Sequence, residues 1–272
     1  MTGRRVRNRE AQVPAAVIAA AVLAVLLFAL PLVGLLWRAP WSSAWSVLST
    51  PEARAALRLS LETSLAATAI AIGLGVPLAW VQARVRYPGR AVVRALTLLP
   101  MVLPPVVGGL ALLLALGRRG LVGQYLDHAG VHLPFHVSGA ILAETFVAMP
   151  FLVLTVEAAF RSVDQRYEDA ARTLGSSRWS VFRRVTIPAI RPSLIAGALL
   201  CWARALGEFG ATITFAGNTQ GKTQTLPLFV YATLEGSNPD AAIILSLVLV
   251  GVSLIVAIAV MIGLRDRWLT TL

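Results

Sequence analysis

Six blocks of this chain are apolar over lengths that match a lipid bilayer, and this constrains the fold more than any other feature. A helix rises about 1.5 Å per residue, so about 20 apolar residues cross a hydrocarbon layer roughly 30 Å thick. The blocks cover about residues 14–37, 57–81, 95–116, 137–160, 192–214 and 241–264. Of the 272 residues, 57% are hydrophobic and 14% charged. A soluble domain of this size needs a charged exterior that such a composition does not supply. The expected architecture is therefore all-α and polytopic: six transmembrane helices in a single domain over residues 1–272, interrupted by one long hydrophilic segment, 161–191.

The formal charge of +11 does not point to nucleic acid, because the basic residues sit in short segments between the spans, where they orient helices in the membrane. Seventeen of them fall on one side: Arg4, Arg5, Arg7 and Arg9; Arg84, Arg86, Arg90 and Arg94; seven arginines between Arg161 and Arg191; Arg265 and Arg267. Six fall on the other: Arg38, Arg54, Arg58, Arg118, Arg119 and Lys222. The richer side is expected to be cytoplasmic, with both termini there. The first block is longer than a signal-peptide core and has no small-residue cleavage site, so it reads as a retained span. The single cysteine, Cys201, lies inside a span and gives no basis for an intrachain disulfide or a thiolate metal site.

Prolines mark irregular membrane segments. Pro100, Pro104 and Pro105 prevent the third span from being one regular helix, and broken backbone at membrane depth is tolerated only against protein or a water-lined cavity. That places the span near a pathway. Pro192 is expected in the first turn of the fifth span. Trp41 and Trp45 suit the lipid–water interface.

Within 161–191, Glu168 and Asp169 precede Arg172 by four and three residues, the spacing that pairs charges on a helix. Gly175 supplies a helix stop. Trp179, Phe182 and Val185 recur at three-residue spacing, which predicts a second short helix with an apolar stripe. An ordinary cytoplasmic loop and a two-helix docking element both fit these residues.

The run Glu168, Ala170, Ala171, Gly175 and Ile187-Pro188 resembles the signature cytoplasmic loop of permease subunits of binding-protein-dependent ABC importers, often called the EAA loop. Asp169 stands inside the Glu-Ala-Ala run, and isoleucine replaces the usual leucine before the proline. The stretch Arg204 to Thr212, with Phe215-Ala216-Gly217-Asn218, Thr223 to Leu228, Leu103 to Gly109 and Leu116 to Gly120, is similar to the molybdate/tungstate branch of these permeases. Sulfate/thiosulfate permeases share a Gly-Glu-Phe-Gly segment like 207–210. The resemblance implies a type I ABC importer permease fold, with Glu168, Ala170, Ala171, Leu174 and Gly175 coupling to an ATPase. It implies a second copy of the chain, two cytoplasmic ATP-binding subunits that carry ATP and Mg, and an extracytoplasmic oxyanion-binding protein. It implies no cofactor or catalytic residue on this chain.

Candidate pathway or gate residues are Arg204, Glu208, Thr212, Thr214 and Asn218. Arg204 and Glu208 are four apart and can pair on one helix face, as a structural or gating pair or as groups that meet an ion. Thr212, Thr214 and Asn218 offer uncharged hydrogen-bonding groups, either for a passing oxyanion or for bonds between helices. Glu62, Glu144 and Glu157 are the other acids in or near spans. A proton-coupled carrier could use them, though Glu62 has Arg58 four residues before it. Residues 216–223 end in Gly-Lys-Thr like a phosphate-binding loop, but Ala216 replaces the first glycine and no strand precedes it. His128, His132 and His136 share i,i+4 spacing, yet Pro134 breaks any helix through the last two, so an external loop is expected rather than a metal site or an intramembrane enzyme.

Overall fold

The computed structural model describes residues 14–269, with side chains through 261. The basic residues Arg4 to Arg9 lie outside the described residues. Thirteen α-helices run through the described residues in the order α1 Ala15–Arg38, α2 Ala44–Leu48, α3 Pro51–Arg84, α4 Arg90–Val102, α5 Pro105–Leu116, α6 Gly123–His128, α7 Val137–Ser162, α8 Gln165–Thr173, α9 Arg178–Val181, α10 Ile187–Leu206, α11 Gly210–Phe215, α12 Leu226–Glu235 and α13 Pro239–Leu269. No strand occurs among them.

Among the described residues, five helices are long and apolar enough to cross a membrane: α1, α3, α7, the continuous run Arg178–Leu206, and α13. The third expected span is divided into α4, of 13 residues, and α5, of 12, each shorter than a crossing helix. Leu103 and Pro104 are extended between them, at φ −65°, ψ 137° and φ −54°, ψ 131°. The cause is local: Pro104 pushes Leu103 out of the helical region, and Pro105 restarts the helix from its first turn.

The fifth span differs from the expectation. Pro192 lies inside the helix, which begins at Arg178 and passes through a π-helical turn at Phe182–Thr186 before α10. The residue in the first turn of α10 is Pro188. An earlier start is favoured because Ser177 Oγ accepts from Ser180 N at 3.2 Å, capping the run, and because Val181 and Ile190 are buried. The stripe on Trp179, Phe182 and Val185 thus belongs to the entry of the long helix and not to a separate one. At its other end the helix stops at Leu206, and α11 follows after a break at 207–209.

The core forms around α3, α7 and α10. Alanines Ala67, Ala71 and Ala79 of α3 meet Leu152, Val153, Val156 and Phe160 of α7, with Ile190, Cys201 and Ala205 of α10 beside them. Small residues let the helices approach closely where lipid gives no hydrophobic drive between them. A Cβ on Gly75 would stand 3.1 Å from Val153. Contacts advance together along α3 and α7: Thr63 with Glu144, Gly75 with Leu152 and Val153, Arg84 with Val163. The two helices are therefore parallel, and their basic ends share one side of the molecule. By contrast α1 buries none of its residues, and Leu23, Leu27 and Phe28 face outward, as expected where lipid is the solvent.

Candidate functional site

The segment after α7 builds a small two-helix element. Asp164 caps α8, accepting from Arg166 N at 3.0 Å. At the other end Gly175 has φ +85°. Its N–H bonds Arg172 O at 2.9 Å, and Ser176 N bonds Ala171 O at 3.1 Å. These two bonds are the Schellman closure of a helix, which needs a left-handed residue at this position.

Glu168 turns inward. It is 7% exposed. Arg84 Nη2 donates to its Oε1 at 3.1 Å, the Thr186 hydroxyl donates to the same oxygen at 3.0 Å, and Arg172 lies 3.8 Å from Oε2. One carboxylate thereby ties α8 to the end of α3 and to the π-turn that leads into α10. Ala171 is half-buried and Ala170 exposed. Leu174 is 87% exposed, and Tyr167 and Trp179 are also open. Of the five residues expected to couple, Glu168 anchors the element from behind, while Ala170, Leu174 and Gly175 lie on its outer surface.

The candidate gate residues do not converge as a group. Arg204 Nη1 meets Glu208 Oε2 at 2.6 Å, although Glu208 lies past the end of α10. Glu208 is buried, and its Oε1 accepts from Ala211 N at 2.8 Å. The carboxylate thus joins α10 to the first turn of α11, where the helix dipole favours a negative group. Thr212 is fully buried, and its Oγ1 has no partner among the described residues. The Thr214 hydroxyl bonds Gly210 O at 2.8 Å. Asn218 is exposed beyond the helix.

The broken third span is held against this region. A Cβ on Gly109 would lie 2.7 Å from Thr214 Cβ and 2.8 Å from Ala211 O, and one on Gly210 would lie 2.8 Å from Pro105 Cβ. Glycines at both positions let α5 and α11 touch backbone to backbone. On the other half, Gln82 Nε2 donates to Thr97 Oγ1 at 2.9 Å, and Arg94 lies 3.6 Å from the buried Glu157, which Arg161 also pairs at 2.5 Å. Glu144 is buried in α7 and accepts from Thr63 at 2.8 Å. Glu62 pairs with Arg58 at 2.6 Å on an exposed helix face. His128 bonds its own helix, and His132 pairs with Asp127 at 2.6 Å.

Sequence reasoning passed over the role of Arg84, which it counted only as an orienting charge. Its partner Glu168 is 84 residues away, and nothing in local spacing links them. Arg94 and Thr63 were missed for the same reason.

Residues 71–269 match the family model described as binding-protein-dependent transport system inner membrane component. The chain belongs to that family. Among relatives of this inner membrane component, the molybdenum transport system permease protein ModB of Mycobacterium tuberculosis is 50% identical over 186 residues, 68% of this chain and 69% of the relative. The sulfate transport system permease protein CysW of Synechocystis is 41% identical over 164 residues, 60% of this chain and 59% of the relative. A solved bacterial ABC transporter involved in import of the acidic polysaccharide alginate has a chain that superposes with a TM-score of 0.74 at 20% identity, covering 92% of this chain and 94% of its own. At that identity the likeness concerns the fold. The inner membrane component is a multi-pass membrane protein on both its helices and its family.

Proposed function

We propose that this chain is the membrane-spanning permease subunit of an ATP-driven molybdate importer, with tungstate as a second cargo. It works as a homodimer, with two cytoplasmic ATP-binding subunits that carry ATP and Mg, and with an extracytoplasmic oxyanion-binding protein. The chain hydrolyses nothing itself. Residues 1–272 act as one transmembrane domain, and 161–191 couple it to the ATPase. Both termini are cytoplasmic, on the weight of the basic residues.

The observation that carries this reading is the placement of α8. A helix capped at both ends presents Leu174 and Tyr167 to solvent, while buried Glu168 grips two membrane helices behind it. A rigid displacement of α8 by the ATPase would pass through Glu168 to α3 and to α10 together. At the far end of α10, the Arg204–Glu208 pair would carry the movement to α11 and hence to α5. Such rocking of helix groups changes the side to which a pathway opens.

The molybdate assignment rests on the higher identity and longer match to permeases named for molybdenum than to those named for sulfate. Those sulfate permeases make sulfate the second reading. The test is ATP hydrolysis by the reconstituted complex with each oxyanion supplied on its binding protein. Molybdate and tungstate should stimulate it and sulfate should not. Stimulation by sulfate alone would move the chain to the second reading.

A further inference from the structure

A cavity of about 700 Å³ opens between the end of α3 and the α8–α9 segment. Its walls divide chemically. Pro77, Trp80 and Val81 of α3 and Phe182 of the π-turn make an apolar side. Trp80 meets Phe182 edge to face at 6.1 Å, and Trp179 stacks on Phe182 at 5.7 Å. Arg84, Arg172 and Arg178, with the acids Glu168 and Asp169 and the uncharged Gln165 and Thr186, make the polar side. In α3 the apolar block closes at Val81 and Arg84 follows three residues later, so the cavity lies near the level where hydrocarbon gives way to headgroups, at which tryptophan accumulates.

The polar side is not saturated by protein. Arg84 satisfies Glu168 and Val163 O through Nη2, but its buried Nε has no acceptor among the described residues. Glu168 is paired with Arg84 and Arg172, and Asp169 lies 3.4 Å from Arg172. Arg178 has no carboxylate within ion-pair distance among the described residues. The lining therefore carries one surplus positive charge beside an unmet donor, next to an aromatic wall. A buried donor normally has a partner, and guanidinium groups recognise phosphate well.

We propose that this cavity binds an anionic phospholipid, its headgroup phosphate between Arg84 and Arg178 and its proximal acyl carbons against Pro77, Trp80 and Val81. Basic pockets between membrane helices suit such headgroups, and the volume is in the range of a small-ligand site. The site stands whichever way the chain faces, because it depends only on where α3 leaves the hydrocarbon. The lipid would sit behind α8, bracing the element that carries Leu174.

Native mass spectrometry of the full chain in mild detergent, alone and with the ATPase subunits, tests this with added phosphatidylglycerol or phosphatidylcholine. The wild type should retain phosphatidylglycerol over phosphatidylcholine. Arg178→Gln, at an exposed position that leaves folding intact, should weaken that retention roughly fivefold, the effect of one basic residue near an anionic headgroup. Arg184→Gln, exposed on the π-turn but not lining the cavity, should leave it unchanged. Millimolar glycerol 3-phosphate should not displace the lipid. Equal retention of both lipids, an unaltered Arg178→Gln, or equal loss in Arg184→Gln would overturn the site. So would displacement by glycerol 3-phosphate, which would make it a free-phosphate pocket, or expulsion of the lipid by the ATPase subunits, which would make it part of their docking surface.

Discussion

Arg84 at the end of one membrane helix donates to Glu168 in α8 across 3.1 Å, with both side chains 9% exposed. The same carboxylate takes the Thr186 hydroxyl, so a single acid joins α8 to two spans. Removing one partner of a buried pair leaves the other charge uncompensated, which typically costs about 3–5 kcal/mol. Glu168→Ala should lower the thermal unfolding midpoint of the detergent-purified chain and uncouple ATP hydrolysis from transport. Glu168→Gln, which still accepts from Thr186, should lose less. Equal midpoints for Glu168→Ala and wild type would refute the clamp.

Gly175 tests backbone conformation apart from packing, because a Cβ there would meet nothing within 4 Å while its φ is +85°. A β-branched residue in the left-handed region is strained by about 1–2 kcal/mol, whereas asparagine visits it readily. Transport assays should find Gly175→Val defective with membrane insertion intact, and Gly175→Asn close to wild type. The idea fails if valine and asparagine behave alike.

The contact between α5 and α11 should be sensitive to one methyl group. Gly109→Ala places a carbon 2.8 Å from Ala211 O and 2.7 Å from Thr214 Cβ, so one helix must move. Overpacking of this kind costs about 1–3 kcal/mol. Expected are reduced transport and unchanged recovery of the ATPase subunits in pull-downs, since Gly109 is remote from α8. A control at Gly73, where a Cβ meets nothing within 4 Å, should be silent.

Orientation is open to direct labelling. In a Cys201→Ala background, a cysteine at exposed Ser177 should be shielded from an impermeant thiol reagent in intact cells, and one at exposed Gln220 should react. Labelling at Ser177 would reverse the orientation and remove α8 from the reach of a cytoplasmic ATPase.

Apolar block length alone determined that this chain is a helical membrane protein, because hydrogen-bond satisfaction in lipid leaves a run of about 20 apolar residues one regular option. Local chemistry determined more: Pro104 marked the break in the third span, and Gly175 the end of α8, because both act through their own φ and their neighbours. The fifth span was misplaced at both ends. A proline reads as a first-turn residue in sequence, but packing of Val181 and Ile190 extends the helix past it, through a π-turn at Phe182–Thr186. Tertiary structure alone decided which charges matter. Arg84 with Glu168, Arg94 with Glu157 and Thr63 with Glu144 are separated by 63 to 84 residues and meet only because tertiary packing lays α3 and α4 against α7 and α8. Ion pairing falls off over a few ångströms, so a sequence reveals partners one helical turn apart and is silent on those that the packing of helices brings together.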